Sequence, residues 1–310
     1  MTLLRKIRKV VFPDFSIRMI FYSVARECLQ SPSSLFKRLN ITNFSNYRIF
    51  QSVQIDCNIC GNKSALFYDF PNIEKRSEHG IGLLRETLCC NSCGATQRQR
   101  VLAHKLLNYI NLMAGRAYLT IPEYVNSEFS IRIFDTDSFS PIHKILKGKN
   151  GYISSKFLPT EKFGIKLETG IFNINLESID FKEKQFDVVL TSDVMEHVKY
   201  DDLAHDEITR VLDNGGAYIF TVPFNSTYKF NRVLVAETRC GEVFLEKPHY
   251  HGDPLTGGIL AYRIYGAELI ESLKAKGLEV EFDIFSNEKA GIYQGDCFVA
   301  IKKSGVATSL

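Results

Sequence analysis

Residues 186–198, FDVVLTSDVMEHV, restrict the possible folds more than any other stretch of this chain. They open with a short apolar, β-branched run at 186–190, the pattern of a strand buried on both faces. Polar residues follow at once: Thr191, Ser192, Asp193, then Glu196 and His197. Helical spacing runs from 201 to 212, the turn DNGG fills 213–216, and a second apolar run covers 217–222. Strand, helix, strand in that order is a βαβ unit. Its polar residues stand at the carboxyl end of the first strand, the edge where open α/β sheets bind ligands.

A second signal lies upstream. Cys57 and Cys60 precede Gly61, and Cys90 and Cys93 precede Gly94, so the motif Cys-x-x-Cys-Gly occurs twice, with 29 residues between Cys60 and Cys90. Each such turn sets two thiolates on one side, and glycine admits the tight backbone turn that follows. Two turns close a four-cysteine tetrahedral site suited to structural zinc, with no open coordination position and so no catalytic metal. The spacing suits a zinc ribbon with an inserted hairpin. Cys89 competes with Cys90 for the fourth place; Cys90 restores the repeat. A redox pair is the rival reading, but redox motifs do not come as two glycine-followed copies.

Five of the eight cysteines fall between 57 and 93, which favours metal over disulfides and a reducing, cytoplasmic setting. No run approaches the roughly 20 apolar residues of a membrane span, and no signal peptide is visible. The net charge of +3 is unevenly placed: residues 1–50 carry nine Lys/Arg against two Asp/Glu, +7, leaving −4 for the rest. Residues 2–12 form a basic amphipathic helix, a second helix is expected at 16–29, and 40–46 read as a polar linker. The basic helix is either a helical extension packed on the main body, the reading preferred here, or a peripheral anchor at the inner face of a membrane.

The run FDVVLTSDVMEHV, then EITRVLDNGG, then AYIFTVPF resembles the second half of a class I S-adenosylmethionine-dependent methyltransferase. The double knuckle, Arg85 before its second copy, and the pair Arg98 and Arg100 opening the next helix are similar to bacterial methyltransferases with an N-terminal zinc ribbon. Members of that group are often encoded beside glycan and surface-polysaccharide enzymes. The resemblance implies a Rossmann-like seven-stranded α/β sheet with an N-terminal zinc ribbon and helical extension. Residues 1–50 are the extension, 51–110 the ribbon and following helix, 111–303 the methyltransferase-like domain with an insertion at about 224–262, and 304–310 a tail.

The resemblance also distributes roles. The first strand, 131–135, leads into Asp135, Thr136, Asp137 and Ser138, where methyltransferases at large carry a glycine-rich loop; the ribbon-bearing group has a similar glycine-free segment. Ser140 and Pro141 read as an N-cap and first helical residue. The second strand ends at Ser155 and Lys156, where an acidic residue normally holds the cofactor ribose; lysine has no acceptor. The third strand, 171–175, ends at Asn175 and Leu176, the adenine-side stretch, and Asn175 still offers an acceptor. With Ser192 and Asp193 these residues are the expected S-adenosylmethionine site.

The insertion holds Tyr250, His251 and Asp253 in one Gly/Pro-punctuated loop. Either His251 is a base, with Tyr250 and Asp253 binding the acceptor, or the segment is a rigid turn. Glu196 and His197 sit where the acceptor arrives; His197 is the first candidate base, and its plainer role is to cap or pack the helix start. A sugar, glycan or other small-molecule oxygen is the expected acceptor, from family context alone. Two other classes stay open. One is a degenerate binding or scaffold protein, suggested by Lys156 and the glycine-free loop. The other is a nucleic-acid methyltransferase docking through Arg85, Arg98 and Arg100. Nucleic acid is the less expected partner, since no dense basic stripe is interleaved with aromatics; the helix arginines could instead meet an acidic patch of the main domain. Oligomeric state has no signature here.

Overall fold

The computed structural model describes residues 54–63, 84–239, 241–251 and 258–303. The helices expected at 2–12 and 16–29, the linker, the hairpin between the knuckles, Asp253 and the tail lie outside the described residues.

The centre of the fold is a sheet laid down in parallel order. β1 (Ile133–Asp135) pairs with β2 (Tyr152–Lys156) on one side and β5 (Phe186–Ser192) on the other. β5 pairs in parallel with β6 (Leu212–Thr221). β13 (Leu278–Asn287) and β14 (Ile292–Lys302) form an antiparallel hairpin, and β14 runs antiparallel to β6. At the other edge β4 (Phe172–Asn173) extends β2 in parallel, and β3 (Ile165–Lys166) adds an antiparallel turn of strand beyond it. The order β13–β14–β6–β5–β1–β2–β4–β3 has eight strands, one more than expected, because β3 folds back on β4. The third strand of the sequence reading shrinks to two residues, and β6 starts five residues early, with Gly215 in the left-handed region (φ 77°) inside it.

Two layers cover the sheet. On one face lies the long helix α2 (Gln97–Ala114), which follows the four-residue α1 (Leu84–Thr87). Thr96 and Gln99 form a capping box at its start, and Gly115 (φ 61°) ends it. Its buried stripe, Val101, Leu102, Leu106, Leu107 and Ile110, packs with Val188, Leu190, Ala217 and Ile219 of the sheet. Cysteine-ribbon residues Ile55, Ile59, Leu88 and Ala95 belong to the same cluster, so ribbon and sheet share one core. Gly295 marks the close approach: a Cβ there would meet Val101 Cγ2 at 2.3 Å. Short α3 (Ile121–Val125) and α4 (Pro141–Leu146) sit on this side of β1; Ser140 caps α4 by accepting from His143 N, as the sequence suggested.

On the opposite face α5 (Asp201–Val211) and α6 (Glu268–Ala275) cover an aromatic stack. Tyr218 lies 4.1 Å from Phe220, and Phe220 4.9 Å from Phe298. The insertion after β6 consists of short antiparallel pairs. β7 (Arg232–Val233) pairs with β12 (Arg263–Ile264), β8 (Val235–Thr238) with β9 (Gly241–Phe244), and β10 (Tyr250–His251) with β11 (Ile259–Leu260). Among the described residues no helix is long and apolar enough to cross a membrane.

Candidate functional site

A cavity of about 1540 Å³ opens at the carboxyl edge of the parallel strands. Seven of the residues singled out in the sequence meet on its wall: Asp137, Asn175, Leu176, Ser192, Asp193, Glu196 and His197. Asp135, Thr136, Ser155, Lys156 and Tyr250 do not line it. Tyr250 is 56% exposed, and the His251 backbone pairs with Ile259.

Asp135 is turned into the protein, where Tyr152 donates to its Oδ2 (2.8 Å) and the Asp137 amide to its Oδ1 (2.9 Å). Burial, with Asp137 alongside, pushes its carboxyl up to about 7. Asp137 Oδ1 accepts from the Phe139 and Ser140 amides, while its Oδ2 makes no hydrogen bond among the described residues. Thr136 Oγ1 and Ser138 Oγ are buried with no hydrogen-bond partner among the described residues. Lys156 ends β2, and the next residue, Phe157, presents a 58% exposed ring to the cavity. Asn175 Oδ1 accepts from the Glu177 amide, which fixes the turn after the third parallel strand.

At the end of β5 the chain bends sharply. Asp193 adopts the left-handed region (φ 50°), which aspartate tolerates better than most residues. Two arginines from the ribbon meet it. Arg85 donates through Nη1 and Nη2 to Asp193 Oδ2 (2.5 Å) and Oδ1 (2.7 Å). Arg98 Nε lies 3.3 Å from Asp193 Oδ2, and Arg98 Nη1 donates to Ser192 Oγ. Burial alone would push the Asp193 carboxyl up; Arg85, then Arg98, override it and hold the group well below the usual carboxylate range. Glu86 receives Arg98 Nε (2.6 Å) and Nη2 (3.0 Å), and Asp296 of β14 stands 3.4 Å from Arg85 Nε. Arg98 thus reaches one carboxylate of the main domain, Asp193, and one of the ribbon segment, Glu86. Arg100 does not: it is fully buried and donates to the carbonyls of Leu88, Ala95, Ala290 and Gly291.

Met195–His197 form one turn of 3-10 helix with Glu196 entirely buried. His197 Nδ1 lies 2.8 Å from the Leu260 carbonyl oxygen; a carbonyl only accepts, so Nδ1 is the donor in this contact. Nε2 is 3.8 Å from Glu196 Oε1. The insertion is tied to this turn. The Tyr262 amide donates to the Glu196 carbonyl (2.7 Å), and Arg263 donates to the carbonyls of Val198 (2.6 Å) and Lys199 (2.7 Å) and lies 3.1 Å from Asp201. Sequence reading missed this brace, because nothing local to Arg263 names partners over 60 residues away.

The four sulfurs of Cys57, Cys60, Cys90 and Cys93 lie within 4.8 Å of one another. The pairs Cys57–Cys93 and Cys60–Cys90 are 3.9 and 3.8 Å apart. A metal–thiolate tetrahedron with bonds of about 2.3 Å has edges of about 3.8 Å, so the cluster has the right size to hold a metal ion. Gly61 (φ 71°) and Gly94 (φ 74°) supply the left-handed turns, and their amides return to the Cys57 and Cys90 carbonyls. Cys89 points away, toward the Glu86 carbonyl at 3.8 Å.

Residues 154–220, from β2 through β6, match the family described as "Methyltransferase domain"; the chain carries such a domain. No curated protein matches the sequence. Among solved structures, the chain is similar to an S-adenosylmethionine-dependent methyltransferase from Mesorhizobium loti (16% identity, 58% of this chain and 94% of that one, TM-score 0.36). It is also similar to 1,6-didemethyltoxoflavin-N1-methyltransferase from Burkholderia thailandensis with bound 1,6-didemethyltoxoflavin and S-adenosylhomocysteine (14%, 67% and 79%, TM-score 0.39). A third is a putative methyltransferase from Listeria monocytogenes (14%, 59% and 96%, TM-score 0.36).

Proposed function

We propose that the protein transfers a methyl group from S-adenosylmethionine to an oxygen of a sugar, glycan or other small-molecule acceptor, with His197 as the base and zinc held by Cys57, Cys60, Cys90 and Cys93. The observation that carries the reading is the placement of Glu196 and His197 on the cavity wall just past the carboxyl end of β5, with the His197 ring oriented by its Nδ1 contact of 2.8 Å to the Leu260 carbonyl. Bound S-adenosylmethionine supplies an electrophilic methyl group, which leaves the protein to position the acceptor and remove its proton. His197 takes that proton at Nε2, and the Glu196 carboxylate beside it steadies the resulting imidazolium.

The residues present fit the cofactor. Asp137, on the cavity wall, has its Oδ2 open to ribose hydroxyls in place of the acid that Lys156 replaces. The Phe157 ring offers a stacking face, and Asn175 and Leu176 form the adenine side. The acceptor class follows from charge. Six carboxylates line the cavity (Glu86, Asp137, Glu177, Asp193, Glu196 and Asp296) against Arg85, Arg98 and Lys199. This excess repels phosphate-rich acceptors and favours neutral or aminated ones. Phe224, Tyr262 and Phe282 add apolar faces of the kind sugar rings pack on. Nucleic-acid docking through the ribbon is disfavoured because Arg85, Arg98 and Arg100 already meet partners within the chain.

Calorimetric titration of the zinc-loaded protein with S-adenosylmethionine and S-adenosylhomocysteine is the test. Micromolar binding supports the reading and opens a screen of sugar acceptors. Absence of binding at millimolar ligand overturns it in favour of a scaffold protein. His197→Gln is expected to lower methyl transfer by about 10²–10⁴-fold with cofactor affinity unchanged.

A further inference from the structure

Arg85 stands five residues before Cys90, and Arg98 five residues after Cys93. The second knuckle therefore carries one arginine on each arm, and both arms reach the same spot, the end of β5. Arg85 grips both Asp193 oxygens in a fork, and Arg98 reaches Ser192 and the same carboxylate. Glu86 braces Arg98 from the ribbon side, and Asp296 braces Arg85 from β14. The cluster of three carboxylates and two guanidiniums leaves one negative charge in surplus on the cavity wall, which favours a cationic ligand end.

We propose that the second cysteine knuckle is a working part of the cofactor site: it sets Arg85 and Arg98 on Asp193 and Ser192, so that these arginines act as positioning residues for a cationic cofactor and cofactor affinity depends on the integrity of the four-cysteine centre. The inference rests on the cofactor reading above. A buried carboxylate left without its arginines would take up a proton near neutral pH and lose its attraction for the ligand. Fork geometry matters as well, since a lysine offers one point charge where Arg85 makes two parallel bonds.

The experiment is calorimetric titration of the full-length, zinc-loaded protein with S-adenosylhomocysteine at pH 7.5 and pH 5. Wild type, Arg85→Gln, Arg85→Lys and Asp193→Asn are compared, with each variant's fold checked by circular dichroism. The quantity read is the ratio of variant to wild-type affinity at each pH. In that ratio the pH dependence of a group common to all variants, Asp135, cancels. The expected result is at least about a tenfold loss for Arg85→Gln at pH 7.5, widening as pH falls and Asp193 protonates. Arg85→Lys recovers only part of it. Asp193→Asn shows a loss that does not widen as pH falls. Removal of the metal by a chelator lowers affinity in wild type and has little further effect in Arg85→Gln. A folded Arg85→Gln that binds like wild type, or whose loss is the same at both pH values, overturns the inference. Should Arg85→Gln not fold, Arg98→Gln is read in the same way. Failure of wild type itself to bind sinks the cofactor reading instead, so the two failures are distinct.

Discussion

Two buried side chains set opposing demands on pH. Asp135, pushed up to about 7 by burial and then Asp137, keeps a proton that the unfolded chain has lost above its ordinary value of 3.8. Its contribution to stability is therefore full at low pH and is lost as pH rises from about 4 through about 7. His205, pulled down to about 3 by burial and then by Lys276, refuses a proton that the unfolded chain takes below 6.5. Its contribution is full above 6.5 and is lost as pH falls toward 3. Each amounts to about 1.4 kcal/mol per pH unit, and across their shared window the slopes cancel. Urea melts of Asp135→Asn between pH 4 and 6.5 should show stability falling with acid at about that slope. His205→Leu should show the reverse, stability falling as pH rises. Flat profiles in both variants would refute the assignment.

The residue scale also shows what a linear reading can and cannot reach. The choice of Cys90 over Cys89 came from repeat spacing alone, and the sulfur cluster agrees. Of Arg98 and Arg100, Arg98 meets a carboxylate of the main domain, Asp193, and Arg100 meets backbone carbonyls. The reason is helical geometry: residues two apart point about 200° from each other, so one reaches the cavity and the other the core. The partner of Arg85 lies 108 positions away, and no local pattern carries that information.

At the scale of elements, the strongly patterned pieces were the legible ones. β5 and α5 fall near their expected places because their periodicity is written locally. β3, two residues long, exists through pairing with β4 rather than composition and could not be anticipated, while β4 keeps only two residues of the strand expected at 171–175. Two variants test the packing of α2. Thr96→Ala removes the cap that accepts from the Gln99 amide and should lower stability by about 1 kcal/mol in denaturant melts. Gly295→Ala puts a methyl against Val101 of α2 and should lower it by about 1–3 kcal/mol, with partial rescue by Val101→Ala.

At the scale of the molecule, the ribbon is not an appendage. Its apolar residues complete the core beneath the sheet, Arg100 staples the second knuckle to the turn between β13 and β14, and Gln97 bonds both backbone groups of Tyr293. Chelation of the metal is therefore expected to lower the melting temperature of the whole chain in one transition. Scanning calorimetry with and without chelator checks this. A separate early ribbon transition, with the main unfolding unmoved, would contradict the shared core.

The brace between α2 and β14 has a consequence in time. Gln97 and Tyr293 are 196 positions apart. A ribosome adding about 5–20 residues per second takes on the order of 10–40 s to make the second after the first. Throughout that interval the nascent ribbon and α2 hold a finished apolar stripe, Val101, Leu102 and Leu106, with its last strand still unmade. The stripe on α2 is made long before its last strand can cover it, and the yield of the chain in a cell should respond to whatever shields that stripe while synthesis continues.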